Sequence, residues 1–93
     1  MQLQWTSKAQ SDLKRIYDFI RTYDVKGNKA LEVIRSLMKA SENLCVYPHV
    51  GSSLESFGER DVRRFLVGDY ELRYEITENG IFVLRVWHTR EDR

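Results

Sequence analysis

The sequence predicts an α+β protein. A short N-terminal strand leads into an antiparallel helical hairpin, which packs on one face of a mainly antiparallel sheet completed by three C-terminal strands (β-α-α-β-β-β). Apolar residues recur at helical spacing through the first half, and strand-like runs replace them after residue 61. A loop bearing glycines and serines, with neither period, separates the two. Ninety-three residues make one domain over 1–93, large enough for a core without a metal or disulfide staple. At 42% hydrophobic and 31% charged, the composition is that of a soluble globular protein and excludes a disordered chain. Cys45 stands alone, so no internal disulfide is expected. No apolar run approaches the roughly 20 residues that span a bilayer, and no signal-peptide pattern opens the chain. A cytoplasmic protein without membrane association is the expectation.

The elements follow in order. "MQLQW" alternates polar and apolar residues and reads as a strand. Thr6 and Ser7 offer an N-cap, with Gln10 three residues after Ser7 as in a capping box. Ala9, Leu13, Ile16, Tyr17 and Ile20 then form the inward stripe of a first helix, while Lys14, Arg15, Asp18 and Arg21 face away. Gly27 and Asn28 supply a turn. A second stripe, Ala30, Leu31, Ile34, Leu37, Met38, Ser41, Leu44 and Cys45, describes another helix, ended by Pro48. So short a connection implies an antiparallel pair. Phe19 and Tyr23 are four apart and off the main stripe, which leaves them partly exposed and available to a partner helix.

Three strands follow the loop "PHVGSSLESFGERD": "VRRFLV", "YELRYEIT" and "IFVLRVWH". The last two are joined by "ENG". A three-residue loop with Gly80 at the left-handed position puts Leu72, Tyr74, Ile76, Phe82, Leu84 and Val86 on one apolar face. It leaves Glu71, Arg73, Glu75, Val83, Arg85 and Trp87 on the other, and this segregation favours it over a two-residue Asn79-Gly80 turn. The helices can cover one face only. Arg73, Arg85 and Trp87 should therefore lie on the open face, with His88 at the core-face edge opposite Tyr70, and Arg90 and Arg93 where the strand frays.

Charge distribution says more than the formal net of +1. All five lysines lie in the first half, and from Arg60 onward every base is arginine. Arginine's planar fork binds phosphate or carboxylate in a way a lysine cannot. Segment 54–93 nevertheless carries nine acids against seven arginines, a net −2, so it is no basic tail. Its arginines are either a binding surface or one half of exposed ion pairs, and the residues alone leave both open. A mixed Trp/Arg surface is also the composition of binding hot spots.

No chemistry is written plainly in the chain. It contains no glycine-rich phosphate loop, no HExxH and no CxxC pair. Cys45 and His49 are four apart but separated by Pro48, so no metal site is expected, and no cofactor either. Ser52 and Ser53 read as turn formers, and the carboxylates alternate with arginines without an isolated acid–base pair. No catalytic residue is assigned.

The pattern "W-T-x-x-A-x-x-D-L" (Trp5, Thr6, Ala9, Asp12, Leu13), followed by "I-Y-D-F-I", resembles the opening of RelE/ParE-superfamily toxins of type II toxin–antitoxin systems. "Y-P-H-V-G", "R-R-F-L-V-G-D-Y-E-L-R-Y-E-I" and the closing "V-W-H-T-R" resemble the rest, so the likeness spans essentially the whole chain. It implies a cognate antitoxin that wraps and neutralises the toxin, and a pair that represses its own operon, so that operator DNA is met only through the complex. RelE-like members cleave mRNA in the ribosomal A site, commonly with an arginine after the first tyrosine of "Y-x-L-x-Y" and a tyrosine near the C-terminus. Here Glu71 takes that position, a carboxylate that would repel the scissile phosphate, and no tyrosine follows Tyr74. ParE-like members act on DNA gyrase, and "Y-E-L-R-Y" with "V-x-H-x-R" looks more like that branch. The resemblance therefore implies a gyrase toxin, with Arg73, Arg85, Trp87, His88, Arg90 and Arg93 as candidate target contacts and Phe19 and Tyr23 as candidate antitoxin contacts. A ribosome-dependent endoribonuclease and an inactive antitoxin-binding module are the alternatives.

Overall fold

A computed structural model describes residues 1–91. Strand β1 (Gln2–Trp5) is followed by helices α1 (Ser7–Arg21) and α2 (Asn28–Leu44). A two-residue strand β2 (Ser52–Ser53) and a 3₁₀ turn (Glu55–Phe57) lead to β3 (Asp61–Val67), β4 (Tyr70–Thr77) and β5 (Gly80–His88). The sheet order is β1-β5-β4-β3-β2, parallel only between β1 and β5. The α+β class and element order are as the sequence predicts. β2 and the 3₁₀ turn are additions, too short to show a period.

Thr6 caps α1, accepting the Ala9 N–H at 3.2 Å, and Gln10 Nε2 donates to the Trp5 carbonyl at 2.9 Å. Gly27 begins α2 at φ 80°, where a side chain would be strained. The helices bury Ala9, Ile16, Ile20, Ala30, Leu37 and Leu44 against Leu72, Tyr74, Ile81, Val83 and Val86, in two clusters that share Trp5. Leu31 and Met38 are exposed, not part of this stripe: α2 turns Ala30, Leu37, Ser41 and Leu44 inward instead. Asp12, between Ala9 and Ile16 on α1, is buried.

The β4–β5 hairpin departs from the expected loop. Thr77 pairs with Gly80, so Glu78 and Asn79 form a two-residue turn, and Gly80 is inside the ladder. Gly80 has φ 135°, and a Cβ there would collide with the Gln2 carbonyl of the adjacent β1. The register then shifts by one between Arg73 and Tyr74, with Leu84 as the extra residue. Ile81, Val83 and Val86 consequently face the core, while Phe82 and Leu84 are only partly buried. Beyond the bulge the expected pairs return: Arg73 with Arg85, Leu72 with Val86, Glu71 with Trp87, and Tyr70 with His88.

Helix α1 satisfies the backbone that the bulge disturbs. Thr6 N–H donates to the Val83 carbonyl and Thr6 Oγ1 to the Leu84 carbonyl, both at 3.1 Å. Asp12 Oδ2 accepts the Val86 N–H at 3.0 Å, and Arg15 Nη2 donates to the Val86 carbonyl at 3.3 Å. The bulge and the start of α1 are therefore one built unit.

Candidate functional site

Three groups of candidate side chains stand on this frame. The first lies on the sheet face opposite the helices. Arg73 sits in mid-β4 with its guanidinium 4.8 Å from the Trp87 ring centroid and 5.7 Å from that of Phe57. The 3₁₀ turn places Phe57 there, and Arg60 leans on the same ring at 5.6 Å. Arg60 grips Glu75 through two bonds of 3.0 and 2.9 Å, which holds that carboxyl below its usual range. Glu71, buried, is shared by Arg73 at 3.4 Å and Arg64 at 3.6 Å. Arg64 and Arg73 are direct cross-strand neighbours, a placement of like charges that costs stability on its own. Arg73 Nε is buried without a hydrogen-bond partner. The result is an arginine–aromatic stack, its cations partly balanced by carboxylates.

Arg85 does not join this stack. The bulge turns it to α1, where its Nε and Nη2 donate to Asp12 at 2.8 and 3.1 Å. Asp12 also accepts from Arg15 and from the Val86 N–H. Burial alone would raise the Asp12 carboxyl, but these bonds outweigh it and hold the pKa at about 2. Arg85 is thus a half-buried partner of a structural carboxylate.

The third group surrounds a groove of about 640 Å³ between the helices and the end of the sheet. Arg15, Ile16, Phe19 and Tyr23 line it from α1, and Lys29 and Val33 from α2. Asp69 and Tyr70 close it from the β3–β4 turn, and His88, Arg90 and Glu91 from the chain's end. Phe19 and Tyr23 are 67% and 62% exposed and meet edge to face at 6.0 Å, the exposure that their spacing predicts. His88 stacks edge-on against Tyr70 at 5.1 Å. Burial, with Tyr23, Asp69 and Glu91 nearby, pushes the Tyr70 phenol above its usual range.

Residues 88–91 do not fray. Thr89 N–H donates to the Asp69 carbonyl at 2.8 Å, and the Glu91 N–H to the His88 carbonyl at 2.9 Å. Glu91 Oε1 accepts the His88 N–H at 3.0 Å, and its Oε2 meets Arg15 Nη2 at 3.0 Å. His88 Nδ1 accepts the Arg90 N–H at 3.1 Å. The segment is a closed turn pinned to α1, carrying His88 and Arg90 to the groove rim. Arg93 lies outside the described residues.

The family model for the ParE toxin of the type II toxin–antitoxin system parDE matches residues 3–93. The chain belongs to the ParE toxin family. A solved structure described as a chromosomal ParDE toxin–antitoxin system from P. aeruginosa is similar at a TM-score of 0.79 and 25% identity, over 95% of each chain. No curated protein sequence matches significantly.

Membership makes the chain the toxin component of a type II toxin–antitoxin system, the ParE branch of the superfamily that its motifs resemble. In this ParE toxin the opening motif has a structural meaning: Thr6 and Asp12 hold the β5 bulge, Ala9 allows close packing, and Trp5 joins the two core clusters. Phe57, Arg15 and Glu91 belong to these candidate surfaces, and sequence reasoning did not place them there. Phe57 sits in a loop without periodicity, which gave no signal. Asp12 did give one, standing three residues after Ala9 and four before Ile16 on the inward stripe. Among the described residues, no helix is long and apolar enough to cross a membrane.

Proposed function

We propose that this ParE toxin poisons DNA gyrase by binding to it, through the Arg73–Trp87 sheet face and the His88–Arg90 turn, with no bond-making role for its own side chains. The arginine stacked between Phe57 and Trp87 is the observation that carries this reading. An arginine held by aromatic rings on an uncovered face has the chemistry of an interface anchor. Glu71, where a nuclease of the related branch commonly has arginine, is buried between Arg64 and Arg73, which supports binding over RNA cleavage. Arg85 contributes by holding the end of β5 in place through Asp12.

A cognate antitoxin binds over the helices, with the exposed Phe19 and Tyr23 as anchors. Operator DNA is engaged through the toxin–antitoxin complex, and the pair works in the cytoplasm, where gyrase and DNA meet. Purified toxin is added to a gyrase supercoiling assay and, separately, to translating ribosomes with reporter mRNA. Inhibited supercoiling, reversed by antitoxin, with intact mRNA is the expected result. Ribosome-dependent cleavage abolished by a single change such as His88→Ala, a drop on the order of 10²–10⁴-fold in the chemical step, would contradict it.

A further inference from the structure

The arginines of the sheet are unequally satisfied. Arg60, Arg63 and Arg85 each make two or more hydrogen bonds of 3.2 Å or shorter. Arg64 and Arg73 do not. Among the described residues their acidic partner is Glu71 alone, which they share at 3.6 and 3.4 Å. One carboxylate between two guanidinium groups leaves one positive charge uncompensated, and each guanidinium keeps N–H donors to spare. As cross-strand neighbours the two cations also cost stability. The Arg64 side chain is 51% exposed and that of Glu71 11%, so a ligand arriving from solvent meets the arginine before the carboxylate.

The surroundings narrow the ligand. In the next cross-strand row Leu66 pairs with Glu71 and Glu71 with Trp87, so apolar side chains stand at both ends of that row. Leu66 is 54% exposed. A nucleic-acid strand is a poor match: duplex DNA carries about one charge per 1.7 Å of axis, and this face has a single charge to offer it. Its other cation, Arg60, is already gripped by Glu75. One oxyanion with apolar neighbours fits, and a carboxylate side chain on a protein surface is that group.

We infer that Arg64 and Arg73 form an oxyanion seat for one carboxylate side chain of the protein target, with Leu66 and Trp87 as its apolar flank. This rests on the reading that gyrase grips the open sheet face, and it adds the chemistry of what is gripped. Glu71 holds the two guanidinium groups side by side while neutralising only one of them. The incoming carboxylate supplies the missing charge and relieves the repulsion between the cross-strand cations, so the seat is improved by being filled. Arg64 thereby joins Trp87 as a target contact, and the free toxin carries the cost of the unfilled seat.

Gyrase supercoiling is titrated with wild-type toxin, Arg64→Gln, Arg64→Lys, Trp87→Ala and Arg35→Gln. Arg35 is exposed on α2, away from the open sheet face, and controls for net charge. Arg64→Gln should lose about tenfold or more in potency, with Arg35→Gln near wild type. Arg64→Lys should recover only part of the loss, because a point charge replaces the fork. Thermal melts of Arg64→Gln should match or exceed the wild type, since the cross-strand repulsion is gone. Potency of Arg64→Gln within about twofold of wild type overturns the inference, and if Trp87→Ala still loses potency the gyrase reading stands. Lowered melting with unchanged potency likewise overturns it, by making Arg64 a structural partner of Glu71. Wild-type toxin without effect on gyrase removes both readings. Free duplex and single-stranded oligonucleotides should not be retarded on a gel by the wild type. A retarded band that Arg64→Gln abolishes overturns the inference in favour of a phosphate ligand.

Discussion

Asp12 shows how a single carboxylate can organise a fold. It is buried on α1, yet its partners Arg85 and Val86 lie more than 70 residues away. Its depressed pKa of about 2, against 3.8 unfolded, corresponds to about 2 kcal/mol. Because the folded-state pKa is the lower one, this stability is fully present above about pH 4 and is lost as pH falls towards 2. Asp12→Asn should lower unfolding stability at neutral pH by about 2 kcal/mol and flatten the acid limb between pH 4 and 2, as read by urea denaturation across pH. Tyr74 makes a second long-range tie. Its ring is fully buried, and its hydroxyl donates to the Pro48 carbonyl at 2.6 Å and accepts the Gly51 N–H at 3.0 Å. Gly51 has no space for a Cβ against Tyr74 Oη and the Arg64 carbonyl, each 2.7 Å from where it would sit. Tyr74→Phe strips both loop groups of their partner and should cost about 1–3 kcal/mol in the same measurement.

At the level of elements, the β4–β5 hairpin marks where sequence reading succeeded and where it stopped. Alternation of side chains located all three C-terminal strands and correctly paired Arg73 with Arg85 and Glu71 with Trp87. It did so by the wrong route: the one-residue offset comes from a bulge at Leu84 and not from a longer loop. Both devices shift parity identically beyond the bulge, so the apolar pattern could not separate them. What separates them is α1, whose Thr6, Asp12 and Arg15 satisfy the bulged backbone, and that contact joins residues too distant for local pattern to report. The closing turn carries the same lesson. Its arginines suggested a fraying end, but Glu91 ties back to Arg15 and Thr89 to Asp69. Deleting residues 89–93 removes the partly exposed Arg15–Glu91 ion pair, the Thr89–Asp69 tie and the local bonds of the turn, and should leave a folded toxin that is less stable by about 1–2 kcal/mol. A calorimetric melting scan reads that loss. The same truncation should lose most activity against gyrase.

Over the whole molecule, the two proposed partner surfaces are arranged by the architecture. Helices cover one face of the sheet, leaving the Arg73–Trp87 stack on the other, while the groove at the sheet's end joins the helices to the 88–91 turn. The family was legible from motifs spread along the chain, because those motifs are the joints of the fold: cap, bulge support and loop anchor. The groove was not legible, since it assembles residues from α1, α2, the β3–β4 turn and the chain's end. Phe19→Ala and Tyr23→Ala belong to that surface and should weaken antitoxin binding while leaving gyrase inhibition intact, a separation read by running both assays on one preparation. The central claim, that the toxin acts by gripping gyrase through its open sheet face, is tested most directly by titrating wild-type toxin and Trp87→Ala in a gyrase supercoiling assay. The expected result is inhibition by the wild type and a graded loss on the order of 30-fold in the folded variant, the cost of removing one interface anchor. Equal potency of the two proteins, or wild-type toxin that leaves gyrase untouched, would contradict it.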